Sequence, residues 1–272
     1  MKLTERQLER IRDLLQQETG IFIDDEKLHS TYRRKIEDIA KRDGFRDFES
    51  FLVELKQQGR IFQDLVNAVT VNETYFFREE HQFETLIRYV IPELDAKRPK
   101  GEVISILCAP CSTGEELYSI AIYLMEEGDF VNRRDFLLVG VDIDSDAIRK
   151  AERGRFSKRS VHRVPDNLLR KYFVEKGDCY EVRSKLKNAV NFAVANVMDD
   201  RAMRSLGEFD VIFSRNMLIY FEERDQVKVL KTFHSIMKPE GYLFLGHAEK
   251  VPPGLKIFKQ LKLGESFLYR KI

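Results

Sequence analysis

The chain has 272 residues, 43% of them hydrophobic and 33% charged, which is enough for one large α/β domain and a smaller companion. Its 46 basic and 45 acidic residues leave a net charge of +1, unlike the strongly basic balance of proteins that coat nucleic acid or membranes. The opening stretch carries no apolar signal region, no run approaches the roughly 18 apolar residues of a membrane span, and three cysteines make no disulfide framework, so a cytoplasmic, non-inserted protein is expected.

Residues 1–70 read as a helical domain. Between Thr4 and Gln17, apolar Leu8, Ile11, Leu14 and Leu15 recur at helical spacing, Thr4 with Gln7 suits a capping box, and Gly20 suits the helix end. A second helix is predicted over 27–42, with Tyr32, Ile36, Ile39 and Ala40 on its apolar side, and shorter ones over 48–57 and 61–69. Arg33, Arg34 and Lys35 stand with Lys41 and Arg42 as a basic face that could dock an acidic partner helix. Glu37 and Asp38 dilute that face, and an ordinary solvated surface is the alternative. Residues 71–98 form a linker, with Thr74 near an N-cap, followed by a helix over 80–96.

From 99 to 272 the texture alternates. Strands are predicted over 103–109, 136–141, 190–195, 210–214 and 241–246, with helices over 115–127, 145–153 and 223–237 between them. Lys238-Pro239-Glu240-Gly241 closes the last helix, and a hairpin pairs 256–261 with 266–270. Such alternation predicts an open, mostly parallel sheet with helices on both faces and ligands beyond the carboxyl ends of the strands. The stretch 157–188 is too long for a simple connection and reads as an inserted subdomain with a helix over 167–174 and a strand over 179–183.

Chemistry is therefore sought at the strand ends. The first loop, Cys108-Ala109-Pro110-Cys111-Ser112-Thr113-Gly114-Glu115-Glu116, has neither a Walker pattern nor Gly-x-Gly-x-x-Gly. A carboxylate at a helix start, Glu115, suits a cation such as an ammonium better than a pyrophosphate, unless it only complements the helix dipole. Asp142 ends the second strand, where an acid can accept ribose hydroxyls; Asp144 nearby is more readily an N-cap. Asn196, with Val197 and Met198, ends the third strand and suits an adenine edge or a plain turn. Arg215 and Asn216 follow the fourth strand and should face the crevice; Tyr220 can aim its hydroxyl at a substrate, whereas Phe221 reads as core. Cys108 and Cys111 have C-x-x-C spacing without a second metal-binding pair and read as buried small residues, so no metal is expected. His81, His162 and His247 show no metal or triad spacing.

Five segments taken together resemble the chemotaxis receptor glutamate methyltransferases, the CheR family, over nearly the whole chain. They are Asn72-x-Thr74-x-Phe76-Phe77-Arg78-Glu79, Ser112-Thr113-Gly114-Glu115-Glu116-x-Tyr118-Ser119-Ile120-Ala121, Asp142-Ile143-Asp144, Arg215-Asn216-x-x-Ile219-Tyr220-Phe221 and Gly246-His247-x-Glu249. The resemblance implies an all-α N-terminal domain and a Rossmann-like class I methyltransferase domain over 99–272 carrying a small β-subdomain. It implies S-adenosylmethionine as cofactor, with S-adenosylhomocysteine as product. The residues matching the family's cofactor contacts are Asn72, Thr74, Arg78, Glu115, Asp142, Asn196, Val197, Asn216 and Met217, with Arg78 and Tyr220 also at the site of transfer. The implied partner is the cytoplasmic helical region of chemotaxis receptors, not nucleic acid.

Two departures stand out. Family members typically have Pro where this chain has Leu117, which removes no contact group. The loop Val174–Cys179 is short beside that of members that grip a receptor C-terminal peptide, so no such tether is expected. A non-enzymatic S-adenosylmethionine-binding regulator, or a methyltransferase acting on another protein or on nucleic acid, is the alternative. The Asn/Asp-Pro-Pro-aromatic motif common in amide and base methylation is missing from Arg215-Asn216-Met217-Leu218.

Overall fold

A computed structural model describes residues 2–127 and 133–272. The first helices form as their caps and apolar stripes dictate. In α1 (Glu5–Thr19) the Thr4–Gln7 capping box is made in both directions, and Leu8, Ile11 and Leu15 are buried. Gly20 closes α1 in the left-handed region at φ 75°. The helix predicted over 27–42 is instead a short α2 (Asp25–Lys27), a π-type turn at Leu28–Tyr32 and α3 (Arg33–Arg42). The wider turn still buries Leu28 and Tyr32 beside Ile36, Ile39 and Ala40. Helices α4 (Phe48–Lys56) and α5 (Arg60–Val69) complete a hydrophobic cluster around Phe51, Leu55 and Leu65.

Thr74 caps nothing: the next helix, α6 (Glu80–Thr85), starts after Glu79, and a second π-type turn at Leu86–Val90 separates it from α7 (Ile91–Lys97). Phe76 and Phe77, fully buried, pin this linker from inside. The Phe77 amide donates to Ser119 Oγ at 3.1 Å, and the Phe76 ring packs edge-on against Phe156 and Phe173 at 4.8 and 5.1 Å.

The larger region is a seven-stranded sheet. Its strands are β1 (Ile104–Cys108), β2 (Phe136–Asp142), β6 (Asn191–Val194), β7 (Phe209–Ser214), β8 (Met237–Leu245), β9 (Phe258–Leu263) and β10 (Ser266–Lys271), in the order β6-β2-β1-β7-β8-β10-β9. The first five are parallel; β10 and β9 add an antiparallel edge. The order runs outward from β1 in both directions and reverses between β1 and β7, so the crevice opens at the carboxyl ends of those strands. Helices α8 (Glu115–Glu126), α9 (Ser145–Arg153), α12 (Asp200–Ser205) and α13 (Glu223–Ile236) connect these strands. The last helix stops before Met237, not after it. Met237 already pairs with Phe209, and Lys238-Pro239-Glu240-Gly241 is a bulge before Tyr242 resumes pairing with Val211. Pro239 has no amide to give a ladder, and Glu240 sits at φ 61°.

Within the insertion, β3 (Arg155–Ser157), β4 (Phe173–Lys176) and β5 (Cys179–Val182) form a separate antiparallel sheet in the order β3-β5-β4, beside α10 (Asp166–Tyr172) and α11 (Ser184–Lys187). The helix predicted over 167–174 yields to β4 from Phe173, which pairs with Val182.

Candidate active site

The small domain completes the crevice of the large one. Phe22 donates its amide to the Tyr220 carbonyl at 2.8 Å, and Ile21 bridges to Phe221, so the chain after α1 is stitched to the segment after β7. On α5, Gln63 donates to the Ile143 carbonyl at 2.7 Å and Asn67 to Ser145 Oγ at 3.0 Å. Between these two seams lies a cavity of about 300 Å³. Ile21, Phe22 and Tyr32 line one side and Asp142, Asn216 and Tyr220 the other. Asn72, Asn196, Val197 and Met217 also border it.

Two further hollows lie around the linker and share lining residues with it, Asn72 in one and Asn216 in the other. One of about 60 Å³ is bordered by Thr74, Arg78, Glu116, Arg215 and Asn216. The other, of about 800 Å³, is bordered by Asn72, Thr74, Glu115, Arg159 and Ser160. The residues predicted for the cofactor and the transfer site line these three neighbouring hollows. Six border the main cavity with Tyr220, and Thr74, Arg78 and Glu115 border the side hollows.

Asp142 is buried at the tip of β2, where the Ser112 amide donates to it at 2.7 Å and the Asp144 amide at 2.9 Å. Burial lifts its carboxyl to about 6, against the pull of those amides. Ser112 is held left-handed at φ 49° to make this contact. Asp144 caps α9 through the Asp146 and Ala147 amides. It also ties down the linker, accepting from Thr70 Oγ1 at 2.7 Å and Asn72 Nδ2 at 2.6 Å.

Glu115, at the first turn of α8, is also buried. Its two oxygens accept from Thr113 Oγ1 and Ser160 Oγ, both at 2.6 Å, and among the described residues it makes no ion pair. Burial raises its carboxyl, and the two hydroxyls partly offset that. The nearby Lys150 charge also favours its ionised form, and both helix-dipole complementation and reception of a ligand's cation are compatible with this geometry.

Arg78 donates to the Glu73 carbonyl at 2.9 Å and lies over the Tyr75 ring, with no further hydrogen bond among the described residues. Behind it, Arg215 is buried: it donates to the Arg78 carbonyl at 2.6 Å and pairs with Glu116 at 3.0 Å and Glu79 at 3.4 Å. Arg215 was expected to face the crevice and does border the smallest hollow, but its charge is mostly spent on these acids. Asn196 borders the main cavity with its amide committed, donating to the Glu18 carbonyl at 2.7 Å and accepting from the Met198 amide at 2.9 Å. Its side chain therefore joins α1 to the sheet.

The basic face on α3 stands apart from the cleft. Arg33 donates to the Leu3 carbonyl at 2.8 Å and Lys35 to the Ala68 carbonyl at 2.7 Å, so both serve their own domain. Arg34, its side chain 92% exposed, points outward and makes only a long ion pair with Asp38 at 3.8 Å. Cys108 and Cys111 are buried, and burial pushes both thiols well up, as suits inert packing residues.

Several participants were not assigned from sequence. Ser160 arrives from the insertion and Phe22 and Tyr32 from the small domain, and no local spacing announces them. A histidine–acid pair is likewise built from distant segments, with His247 Nδ1 3.0 Å from Glu79 Oε1. Glu116 pairs with Arg215 and Glu249 accepts the Met217 amide, roles that their local sequence does not announce.

A family profile described as "CheR methyltransferase, all-alpha domain" matches residues 6–70, and one described as "CheR methyltransferase, SAM binding domain" matches residues 72–267. The chain belongs to the CheR methyltransferase family. It is 36% identical to "Chemotaxis protein methyltransferase 2" of Vibrio cholerae, across 99% of this chain and 94% of that protein. It is 32% identical to the "Chemotaxis protein methyltransferase" of Campylobacter jejuni, across 99% and 97%, and 33% to that of Escherichia coli, across 92% and 86%. The CheR chain is a methyltransferase and its cofactor is S-adenosylmethionine. The cleft fits that molecule: the unpaired buried carboxylate of Glu115 suits its ammonium, and Asp142 beside an apolar cavity suits its nucleoside. No helix among the described residues is long and apolar enough to cross a membrane.

Proposed function

We propose that this chain methylates glutamate side-chain carboxylates in the cytoplasmic helical region of chemotaxis receptors, giving glutamyl methyl esters. When bound, S-adenosylmethionine supplies an electrophilic methyl on a sulfonium that leaves as the thioether of S-adenosylhomocysteine. Asp142 accepts the ribose hydroxyls and Glu115 the ammonium. Asn72, Thr74, Asn196, Val197, Asn216 and Met217 form the remaining walls.

The observation that carries the reading is the sharing of Asn216 by two hollows. Tyr220 lines the main cavity with Asp142, and Arg78 lines the small hollow that shares Asn216 with it. A glutamate carboxylate, with an ordinary pKa of about 4.3, arrives ionised and needs no base. What it needs is alignment in line with the methyl group and relief from water. The fork of Arg78 orients a carboxylate by paired hydrogen bonds, either the acceptor's or the cofactor's own. Tyr220 positions the methyl or the acceptor. The relatives' shared name, chemotaxis protein methyltransferase, supports receptors as substrate.

The β4–β5 hairpin turns on Gly177 and Asp178 alone, which supports methylation without a receptor C-terminal peptide tether. Docking through α3 then rests on Arg34 more than on Arg33 or Lys35. The test is incubation of the protein with methyl-labelled S-adenosylmethionine and receptor membranes. Base-labile label on the receptor is expected, and label that resists base, or none, rejects ester formation. Arg78→Ala is expected to lose about tenfold or more of the transfer rate, the worth of one charge-assisted pair; near-normal turnover would remove Arg78 from the site.

A further inference from the structure

The segment Gly246-His247-Ala248-Glu249 lies beyond the end of β8, and Glu249 turns back beneath the loop that follows β7. Three successive amides of that loop converge on its carboxylate. Oε1 accepts from Met217 and Leu218 at 2.8 and 2.7 Å, and Oε2 from Asn216 and Gly246, both at 2.8 Å. Successive backbone amides pointing one way form an anion-binding nest, and this nest is filled by the protein's own acid. The fit is tight: a Cβ on Gly246 would stand 2.8 Å from Glu249 Oε2 and 3.0 Å from the Asn216 amide, so only glycine is accommodated. The loop is not one the backbone adopts freely, since Asn216 is left-handed at φ 56°. Its residues Asn216 and Met217 border the main cavity, and Asn216 also borders the hollow that Arg78 lines.

We propose that Glu249 is a positioning residue, whose carboxylate fixes the loop after β7 in the shape that presents Asn216 and Met217 to the cofactor. This rests on the reading of that cavity as the cofactor pocket. Glu249 itself touches no reacting atom; it acts through the four amides. A carboxylate can accept from all four. A glutamine can accept with one oxygen only and turns an NH2 toward the other two donors, so half the brace is lost without a change in size.

The test is calorimetric titration of S-adenosylhomocysteine into Glu249→Gln and the unaltered protein side by side, with thermal unfolding of each. E249Q is expected to unfold in one transition, somewhat earlier, and to bind about tenfold or more weakly at a temperature where it is fully folded. Folded E249Q that binds like the unaltered chain overturns the proposal, because a purely structural role would move only the unfolding temperature. Should E249Q fail to fold, Glu249→Asp, which keeps the charge but withdraws the carboxylate by one methylene, is held to the same comparison. Absence of binding in both chains would instead reject the pocket assignment, and this role with it.

Discussion

Asp142 and Glu115 carry opposite halves of one argument about charge. Each is buried without an ion pair among the described residues, and burial raises both carboxyls, Asp142 to about 6. A carboxyl raised on folding costs stability that grows as pH rises from the unfolded value of about 4 toward about 6. A ligand that offers hydroxyls to one acid and an ammonium to the other favours the ionised forms and recovers that cost. Affinity for S-adenosylhomocysteine is therefore expected to hold between about pH 7 and about pH 8 and to fall as pH drops through about 6. Calorimetric titrations across that range check it, and Asp142→Asn should bind more weakly with a flatter pH profile. Strain gathers at the same place: Phe77, Glu79, Ser112 and Asn216 are all left-handed, and all lie in the linker or strand-end loops that build the cleft.

The linker 71–79 and the seam after α1 do more than connect. Phe76 and Phe77 bury inward, and that leaves Thr74 and Arg78 on the cleft side of the segment. At the seam, Gly20 is left-handed and a Cβ there would lie 2.3 Å from the Phe221 ring. Gly20→Ala meets both penalties, an unfavourable φ and a clash at the contact that holds Ile21–Ile23 over the cavity. It is expected to lower stability by about 1–3 kcal/mol in urea unfolding and to weaken cofactor binding as well. Stability and binding both unchanged would mean that the seam is soft and does not shape the pocket.

The cavity belongs to neither domain alone. One wall is Ile21, Phe22 and Tyr32, and the other is the sheet's strand ends, so a ligand there bridges two hydrophobic clusters. Occupancy should then stabilise the chain as a unit. At about a hundredfold excess over its Kd, S-adenosylhomocysteine should add about 2.7 kcal/mol and raise one shared unfolding transition. Calorimetry that resolved a helical-domain transition unmoved by ligand would contradict the bridging geometry.

Much was settled by the sequence alone. Caps and periodicity set most helices, as Thr4, Gln7 and Gly20 did for α1, and apolar runs set the parallel strands. Asp142 and Asn216 could be placed at strand ends from local pattern alone, and Asn72 entered with a short motif of the family resemblance. What needed the fold was everything that depends on segments far apart meeting. Ser160 reaching Glu115, Asn196 committed to α1 and His247 facing Glu79 leave no local trace. Arg33 and Lys35 looked free until the Leu3 and Ala68 carbonyls were placed beside them. Periodicity records which side of an element is apolar; which polar groups are consumed by neighbours is fixed only when burial forces each donor and acceptor to find a partner.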